Sequence, residues 1–428
     1  MKKKLVIILL AVIILECIAV SSVLTYILYN RSNSGVSSGS GSNSSEEIKD
    51  PESSFTFNIK ADVDVLGNMV TVKEVIYLKK PSDNIYLYIP SANIAKTRIK
   101  SITGSTGFDY IEDTTLVAEF DSARDNIEIE YEITLENKQD TLSYNNSCTL
   151  LTNFLVTPAV YRDNKPVLLY SSAFGDPYIY DTNNYYIKFK VSKQYYVFAP
   201  GQTTEAILGQ EKIIAFEASN LRDFPAVIFS KANFSIEKHG DINIYYINSD
   251  EARGYVKQTI EFAESKIGPY PYENLFVVRV PIAMHKGMEY SNMVFISDDS
   301  FKSTDTLQRV TCHEILHQWF YGIIGTDQVN EPFMDEGLVS YLSRKLYVNE
   351  VPVKYNGRFL GMKLEDYKDT NEYYELAYDD ASFYFSSIQE KMGDDFYKLL
   401  QKLYNDKKYS ILYFDDFESY VNDFLGRK

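Results

Sequence analysis

The alternation of apolar and polar residues divides the chain into four consecutive parts. Residues 5–29 are 25 largely apolar residues, which is enough to cross a bilayer as a helix. Residues 30–52 contain mainly Ser, Gly, Asn and charged side chains, and such a composition cannot bury a core. Residues 53–230 carry strand patterns, and residues 231–428 carry mainly helix patterns.

The first two parts predict a cytoplasmic tip and transmembrane anchor over residues 1–29 and a flexible linker over residues 30–52. The lysines at positions 2–4 precede the apolar run, so the positive-inside rule places the N-terminus in the cytoplasm and the rest of the chain outside the cell. The alternative is a cleaved signal peptide that ends near residues 19–21. We favour the anchor because residues 23–29 stay apolar beyond that point. The lipid bilayer is then one partner of the chain.

The third part, residues 53–230, is predicted to be an all-β domain. Apolar and polar residues alternate, or nearly alternate, in several segments that Gly, Asn, Asp and Pro clusters separate. The clearest of these segments are residues 55–59, 69–77, 85–89, 127–135 and 185–191. Strands of this kind, half buried and closely spaced, are typical of an antiparallel, sandwich-like architecture.

The fourth part, residues 231–428, is predicted to be mainly helical with a few strands. Apolar residues recur at helical spacing over residues 250–267, 383–391, 394–404 and 414–424, and strand patterns cover residues 241–246 and 275–280. A chain of 428 residues is too long for one core. The fold class is therefore a multidomain α+β protein.

The net charge limits the possible binding partners, and the cysteine content limits the possible disulfides. The formal net charge is −16, which argues against nucleic acid as a partner of the folded part. Cys148 and Cys312 are the two cysteines outside the apolar run. They lie far apart in the sequence and give no disulfide framework, and we expect Cys312 to be a small core residue.

The sequence His313-Glu314-Ile315-Leu316-His317 carries the clearest chemistry in the chain. Residues four apart share one face of a helix, so His313 and His317 can bind one metal ion together. Glu314 lies beside the metal without having to ligate it, and it can therefore act as a general base toward water. The chain has only four histidines, which makes a chance occurrence of this spacing less plausible. Apolar flanks predict a buried helix that continues to about residue 321.

A third metal ligand is predicted at Glu336. Eighteen residues separate it from His317, and Pro332 suits the first turn of a second helix that would carry it. A catalytic zinc site has three protein ligands and one open position for water. His313, His317 and Glu336 provide such a set, and Zn2+ is the predicted cofactor. A structural zinc site is not favoured, because it would have four protein ligands, often cysteines.

The spacing of this motif resembles that of the M1 family of zinc metallopeptidases, the gluzincins related to aminopeptidase N. Gly287, Met288 and Glu289 are similar to the family's G-x-M-E-N segment, and Gly268 to Pro271 are similar to its Gly-Pro-Tyr-Pro sequence. Tyr378 falls where the family carries Tyr-x-Lys-Gly, although Asp380 and Ala381 stand in place of the Lys-Gly pair.

The resemblance implies a short, bacterial-type, membrane-anchored enzyme with a thermolysin-like catalytic domain over residues 231–428. It implies that Glu289, together with Gly287 and Met288, binds the free amino group of a peptide substrate. It also implies that Tyr378 stabilises the transition state. The predicted function is then that of an extracellular zinc aminopeptidase.

Two other functions stay open at this point. The same zinc site could serve an endopeptidase, which would cleave peptides whose amino end is blocked. Alternatively, the chain could be a tethered binding or sensing protein whose β domain carries the function and whose metal site is vestigial.

Overall fold

The computed structural model describes residues 57–170, 175, 177–348 and 356–426. The predicted anchor and linker lie outside these residues. Within the described residues, we find no helix that is both long and apolar enough to span a membrane. All described residues fall within one compact unit, Asp50–Lys428, and the predicted domain boundary after residue 230 stays a prediction.

A large sheet dominates the N-terminal half. Seven of its nine strands run in the order β14-β15-β12-β1-β2-β5-β3, while β4 pairs with β5 and β9 with β2. All pairs are antiparallel except β1 with β12. The strands are β1 (Ile59–Leu66), β2 (Met69–Tyr88), β3 (Thr97–Ile102), β4 (Gly107–Ile111), β5 (Thr115–Thr134), β9 (Thr157–Pro158), β12 (Asn183–Ser192), β14 (Gln202–Leu208) and β15 (Glu211–Leu221).

A smaller five-stranded sheet covers one face of the large one. Its order is β13-β16-β8-β7-β6, and a separate hairpin pairs β10 with β11. Apolar residues of both sheets, such as Ile129 and Ile228, share one core, which is the sandwich-like packing expected from the strand alternation. These strands are β6 (Glu136–Asn137), β7 (Ser143–Tyr144), β8 (Cys148–Leu151), β10 (Tyr161–Arg162), β11 (Lys165–Pro166), β13 (Tyr196–Phe198) and β16 (Ala226–Phe229).

A third sheet, of mixed direction, lies between the small sheet and the helices. Its order is β17-β18-β19-β21-β20, with β18, β19 and β21 parallel. Phe276 and Val278 pack toward the small sheet, whereas Leu275 and Val277 pack toward the helices. Both faces are therefore buried, which explains the nearly continuous apolar runs. The strands are β17 (Phe234–His239), β18 (Ile242–Ile247), β19 (Asn274–Val280), β20 (Gly287–Tyr290) and β21 (Met293–Ser297).

The helices form the last layer and pack on the mixed sheet through one continuous core. Short 3₁₀ turns occupy Pro90–Ala92, Ile94–Lys96, Asp250–Ala252, Asp298–Lys302 and Leu364–Asp366. A π-helix, Tyr374–Asp380, joins two of the α-helices. The α-helices are α1 (Arg253–Lys266), α2 (Thr304–Leu316), α3 (Phe333–Tyr347), α4 (Thr370–Tyr373), α5 (Ala381–Met392), α6 (Asp395–Lys407) and α7 (Phe414–Leu425).

Two local predictions were wrong. The segments 69–77 and 85–89 form one continuous strand, β2. The neighbouring strand β5 pairs with β2 on both sides of Ser82, and the register of the pairing shifts near that residue. The helix with the two histidines ends at Leu316 rather than near residue 321. Cys148 and Cys312 are both buried and free, as the lack of a disulfide framework suggested.

The chain after α2 turns sharply and is held in place by Arg222. The guanidinium group of this residue is buried, and it donates to the backbone carbonyls of Tyr321 and Ile323 in the turn. It also donates to the carbonyls of Tyr180 and Ser410, at 2.7 and 2.8 Å. One side chain thus ties the end of α2 to the β region and to the segment before α7.

The close contact between Gly325 and Arg222 can be tested by mutation. A Cβ atom at position 325 would lie 2.3 Å from the guanidinium carbon, so Gly325→Ala must displace the arginine. We expect a loss of about 1–3 kcal/mol in the free energy of unfolding, the usual range for overpacking a core. Urea unfolding measures this loss in the free energy of unfolding.

The control is Gly254→Ala in α1, where the added carbon would meet nothing within 4 Å. This variant should be neutral or slightly more stable, because Ala favours a helix over Gly. Equal stability of the two variants would contradict the role of Arg222.

Candidate metal and active site

Helix α2 presents the motif residues to one cavity. Its N-terminus is capped by Ser303, whose hydroxyl accepts a hydrogen bond from the backbone N–H of Thr306. His313 and Glu314 lie in the last turn, and His317 is the residue at which the helix ends. His317 keeps helical backbone angles, so the two histidines still share a face although the α-helix is shorter than predicted.

Glu336 comes to the same place from helix α3. The Nε2 atoms of His313 and His317 are 3.0 Å apart. The Oε2 atom of Glu336 lies 3.2 Å from the first and 3.5 Å from the second. These three residues are the group of potential metal ligands found among the described residues.

This triangle fits a zinc ion. Ligand atoms about 2.0–2.1 Å from a tetrahedral zinc are about 3.3 Å from one another, which is close to the three observed separations. The Nδ1 atom of His317 lies 3.0 Å from the carbonyl oxygen of Phe320, to which it can donate. That bond would leave the Nε2 lone pair of His317 for a metal, as is usual for metal-binding histidines.

The electrostatics of the cluster also favour a cation. Burial disfavours protonation of His317, but the carboxylates of Glu289, Glu336 and Asp335 outweigh it and raise its pKa to about 10. Burial alone would raise the pKa of Glu336, yet its hydrogen bonds to the two imidazoles hold this pKa far below the usual range. A site that attracts a proton this strongly attracts a metal cation for the same reason.

Glu314 is buried against the edge strand β20. A Cβ atom at Gly287 would lie 2.3 Å from the Oε1 atom of Glu314, so only glycine leaves room for this carboxylate. The next residue of the strand, Met288, is buried and lines the cavity beside it. The strand backbone and the carboxylate thus form one wall of the cavity.

Tyr378 closes the other side of the cluster. Its ring stacks on that of His313 at a centroid distance of 5.7 Å, and its hydroxyl lies near the carboxylate of Glu336. Burial, reinforced by the negative charge of Glu336, raises its pKa well above the ordinary value, so the phenol keeps its proton. Tyr378 lies in the π-helix Tyr374–Asp380, a form often found at functional sites.

Glu289 also lines the cavity, and it is held by Gln328, a residue that no sequence pattern had singled out. The Nε2 atom of Gln328 donates to the Oε1 atom of Glu289 at 3.2 Å and to Asp335 at 3.0 Å. Gln328 belongs to an irregular segment without periodicity, so no local pattern pointed to it.

The cavity has a volume of about 520 Å³, large enough for a few residues of a peptide. The structure brings together all the predicted site residues: seven of them line the cavity and His317 is buried directly behind it. Those seven are Gly287, Met288, Glu289, His313, Glu314, Glu336 and Tyr378. His285 also lines the cavity but is not part of the metal cluster.

Comparisons with known proteins agree with this geometry. Residues 252–425 match the Peptidase family M1 domain. Tricorn protease-interacting factor F2 of Thermoplasma acidophilum is 20% identical over 233 residues, which cover 46% of this chain and 30% of that protein. Aminopeptidase 2 of Candida albicans is 26% identical over 163 residues, 33% of this chain and 17% of that protein. The chain thus matches less than a third of the length of either relative.

Solved structures share the fold. The M1 zinc metallopeptidase of Deinococcus radiodurans has a TM-score of 0.63 at 13% identity, with 87% of this chain and 90% of that chain covered. Aminopeptidase A of Legionella pneumophila, solved with aspartic acid, has a TM-score of 0.66 at 12% identity, with 87% and 48% covered.

The described residues thus have the fold of an M1 zinc metallopeptidase, with a β-rich N-terminal part and a helical C-terminal part, and they carry a His-His-Glu donor set that can bind zinc. In this comparison residues 252–425 are similar to the M1 family of peptidases, and the fold of the described residues is similar to that of solved M1 zinc metallopeptidases.

The ligand set makes a quantitative prediction. The wild-type chain should bind one zinc ion. Loss of a residue that only hydrogen-bonds to a metal ligand weakens metal binding roughly 10–100-fold. Glu336→Ala removes a ligand itself and should therefore weaken zinc binding by more than this. Zinc titration against a competing chelator measures this. The control is Glu264→Ala, whose carboxylate lies near His239 outside the cavity. Unchanged affinity in Glu336→Ala would mean that another residue is the third ligand.

Proposed function

We propose that this chain is a zinc aminopeptidase that removes N-terminal residues from peptides. The observation that carries the proposal is the position of Glu289. Its side chain is buried and lines the cavity that also holds Glu314 and the His-His-Glu cluster. A buried carboxylate in a peptide-sized cavity suits the ammonium group of a substrate, and binding that group there would set the cleavage site close to the amino end of the peptide.

The catalytic step follows from the positions of Glu314 and the metal ligands. Bound by His313, His317 and Glu336, zinc would polarise the scissile carbonyl and acidify a water molecule. Glu314 would take a proton from the attacking water and deliver it to the leaving amine. Gly287 would keep the carboxylate of Glu314 in place, because any larger residue there would displace it.

Tyr378 would donate a hydrogen bond to the oxyanion that forms during attack. Its hydroxyl lies at the carboxylate of Glu336, beside the metal cluster, and its raised pKa keeps the proton available for donation. A donor already fixed in this position contributes most in the transition state, where the negative charge develops.

The relatives support this activity, although each statement holds for that protein alone. The M1 zinc metallopeptidase of Deinococcus radiodurans has been solved with a Tyr-Ser-Ala substrate. Several of the similar proteins bear the name aminopeptidase, among them those of Candida albicans and Legionella pneumophila. An intact ligand cluster and a buried Glu314 argue against a vestigial metal site, and no feature of the cavity favours an endopeptidase over an aminopeptidase.

The test is peptide cleavage by the zinc-loaded full chain. A tripeptide with a free amino end should lose its first residue, while the same peptide N-acetylated should stay intact, as mass spectrometry can show. Glu314→Gln should keep its zinc and lose about 10²–10⁴-fold in rate, the usual contribution of a general base.

Each other outcome selects a different function. Equal cleavage of both peptides would replace the aminopeptidase with an endopeptidase. Full zinc occupancy without cleavage of either peptide would favour the binding-protein alternative. Full activity in Glu314→Gln would remove the proposed general base.

We also propose, from the sequence alone, that residues 5–29 anchor the enzyme in the cell membrane with the catalytic part outside. The full chain should stay in the membrane fraction after alkaline carbonate washing, whereas a chain that starts at residue 30 should be released. A soluble product of the full chain that begins near residue 21 would instead establish a cleaved signal peptide.

A further inference from the structure

The side chain of Gln328 joins two buried carboxylates. Its amide nitrogen donates to Glu289 at 3.2 Å and to Asp335 at 3.0 Å. Gln328, Glu289 and Asp335 are 3, 6 and 0% exposed, so water competes little for these hydrogen bonds. The amide group has two hydrogens, and the two carboxylates use both of them.

The bridge connects two separate elements of the site. Glu289 lies on the edge strand β20, whereas Asp335 lies in the first turn of α3, directly before the metal ligand Glu336. The backbone around Gln328 is itself fixed, because the Asp327 carboxylate accepts from the N–H groups of residues 329 and 330, at 3.2 and 3.0 Å. Gln328 therefore sets the position of Glu289 relative to the helix that carries a zinc ligand.

The chemistry of an amide suits this position better than a charged donor would. A lysine at 328 could also donate to both carboxylates, but its positive charge would neutralise Glu289. Glutamine orients the carboxylate through a hydrogen bond and leaves its negative charge for an incoming cation. This difference matters if Glu289 receives the ammonium group of a peptide.

We infer that Gln328 is a positioning residue, which holds the carboxylate of Glu289 so that the site selects peptides with a free amino end. The inference rests on the proposed aminopeptidase function. Gln328 is not among the residues that line the cavity, so it would act on the substrate through Glu289. Loss of its hydrogen bonds should therefore weaken recognition of the ammonium group and leave the rest of peptide binding unchanged.

The test measures binding in the Glu314→Gln background, where the peptide survives. The zinc-loaded full chain is titrated calorimetrically with the tripeptide Leu-Gly-Gly and with its N-acetylated form. The parent should bind the free form more tightly. Adding Gln328→Met, which keeps the length and removes both hydrogen bonds, should weaken binding of the free peptide about tenfold or more and leave the acetylated peptide unchanged.

A second variant separates orientation from charge. Gln328→Lys restores a donor to both carboxylates, so a purely structural role predicts recovery of binding. Our inference predicts a loss at least as large as that in Gln328→Met, because the lysine would take the place of the substrate's ammonium at Glu289. Thermal unfolding shows whether each variant is folded, and its zinc content shows whether the metal site is occupied. If one variant does not fold, the other alone still tests the inference.

The control is Gln202→Met. Gln202 is exposed and hydrogen-bonded to Glu273 outside the cavity, so this variant removes a Gln–Glu pair of the same chemistry and should bind both peptides like the parent.

The inference fails if Gln328→Met binds both peptides like the parent, if it loses both equally, or if the parent does not distinguish them. The proposed function fails separately, if the wild-type chain with zinc cleaves neither peptide.

Discussion

The guanidinium group of Arg222 fixes the part of the chain on which the metal cluster depends. It is buried at the end of β15 and donates to four backbone carbonyls from three distant segments. Two of these carbonyls lie in the turn after α2, next to the Phe320 carbonyl that faces Nδ1 of His317. The buried Arg222 thus fixes the conformation of the turn. The turn places the Phe320 carbonyl that orients the ring of His317, and this orientation points Nε2 of His317 toward the metal site. Gly325 leaves the space that the arginine needs.

The cluster combines metal ligands with a surplus of negative charge. Glu289, Asp335 and Glu336 all act on His317, and all three are buried. Such a group of carboxylates destabilises a fold unless cations or hydrogen-bond donors compensate it. A zinc ion bound by His313, His317 and Glu336 would compensate one part, and the amide of Gln328 compensates another without cancelling the charge of Glu289. In the proposed function, the negative charge of Glu289 would then bind the ammonium end of a peptide.

Much of the fold and of the site could be predicted from local patterns. Strand alternation indicated the β-rich part, and the spacing of His313, His317 and Glu336 indicated a zinc site, because helix geometry relates four-residue spacing to one face. The end of α2 at Leu316 could not be predicted, since the turn that follows it is held by Arg222, about 100 positions away. Gln328 was missed for the same reason: its partner Glu289 is 39 positions distant.

The most direct test of the account is anomalous diffraction at the zinc absorption edge from crystals of the zinc-loaded chain. Our account predicts a peak about 2.0–2.1 Å from Nε2 of His313, Nε2 of His317 and Oε2 of Glu336. The carbonyl oxygen of Phe320 should remain at hydrogen-bonding distance from Nδ1 of His317. A peak elsewhere, or an empty cluster in crystals that contain zinc, would contradict it.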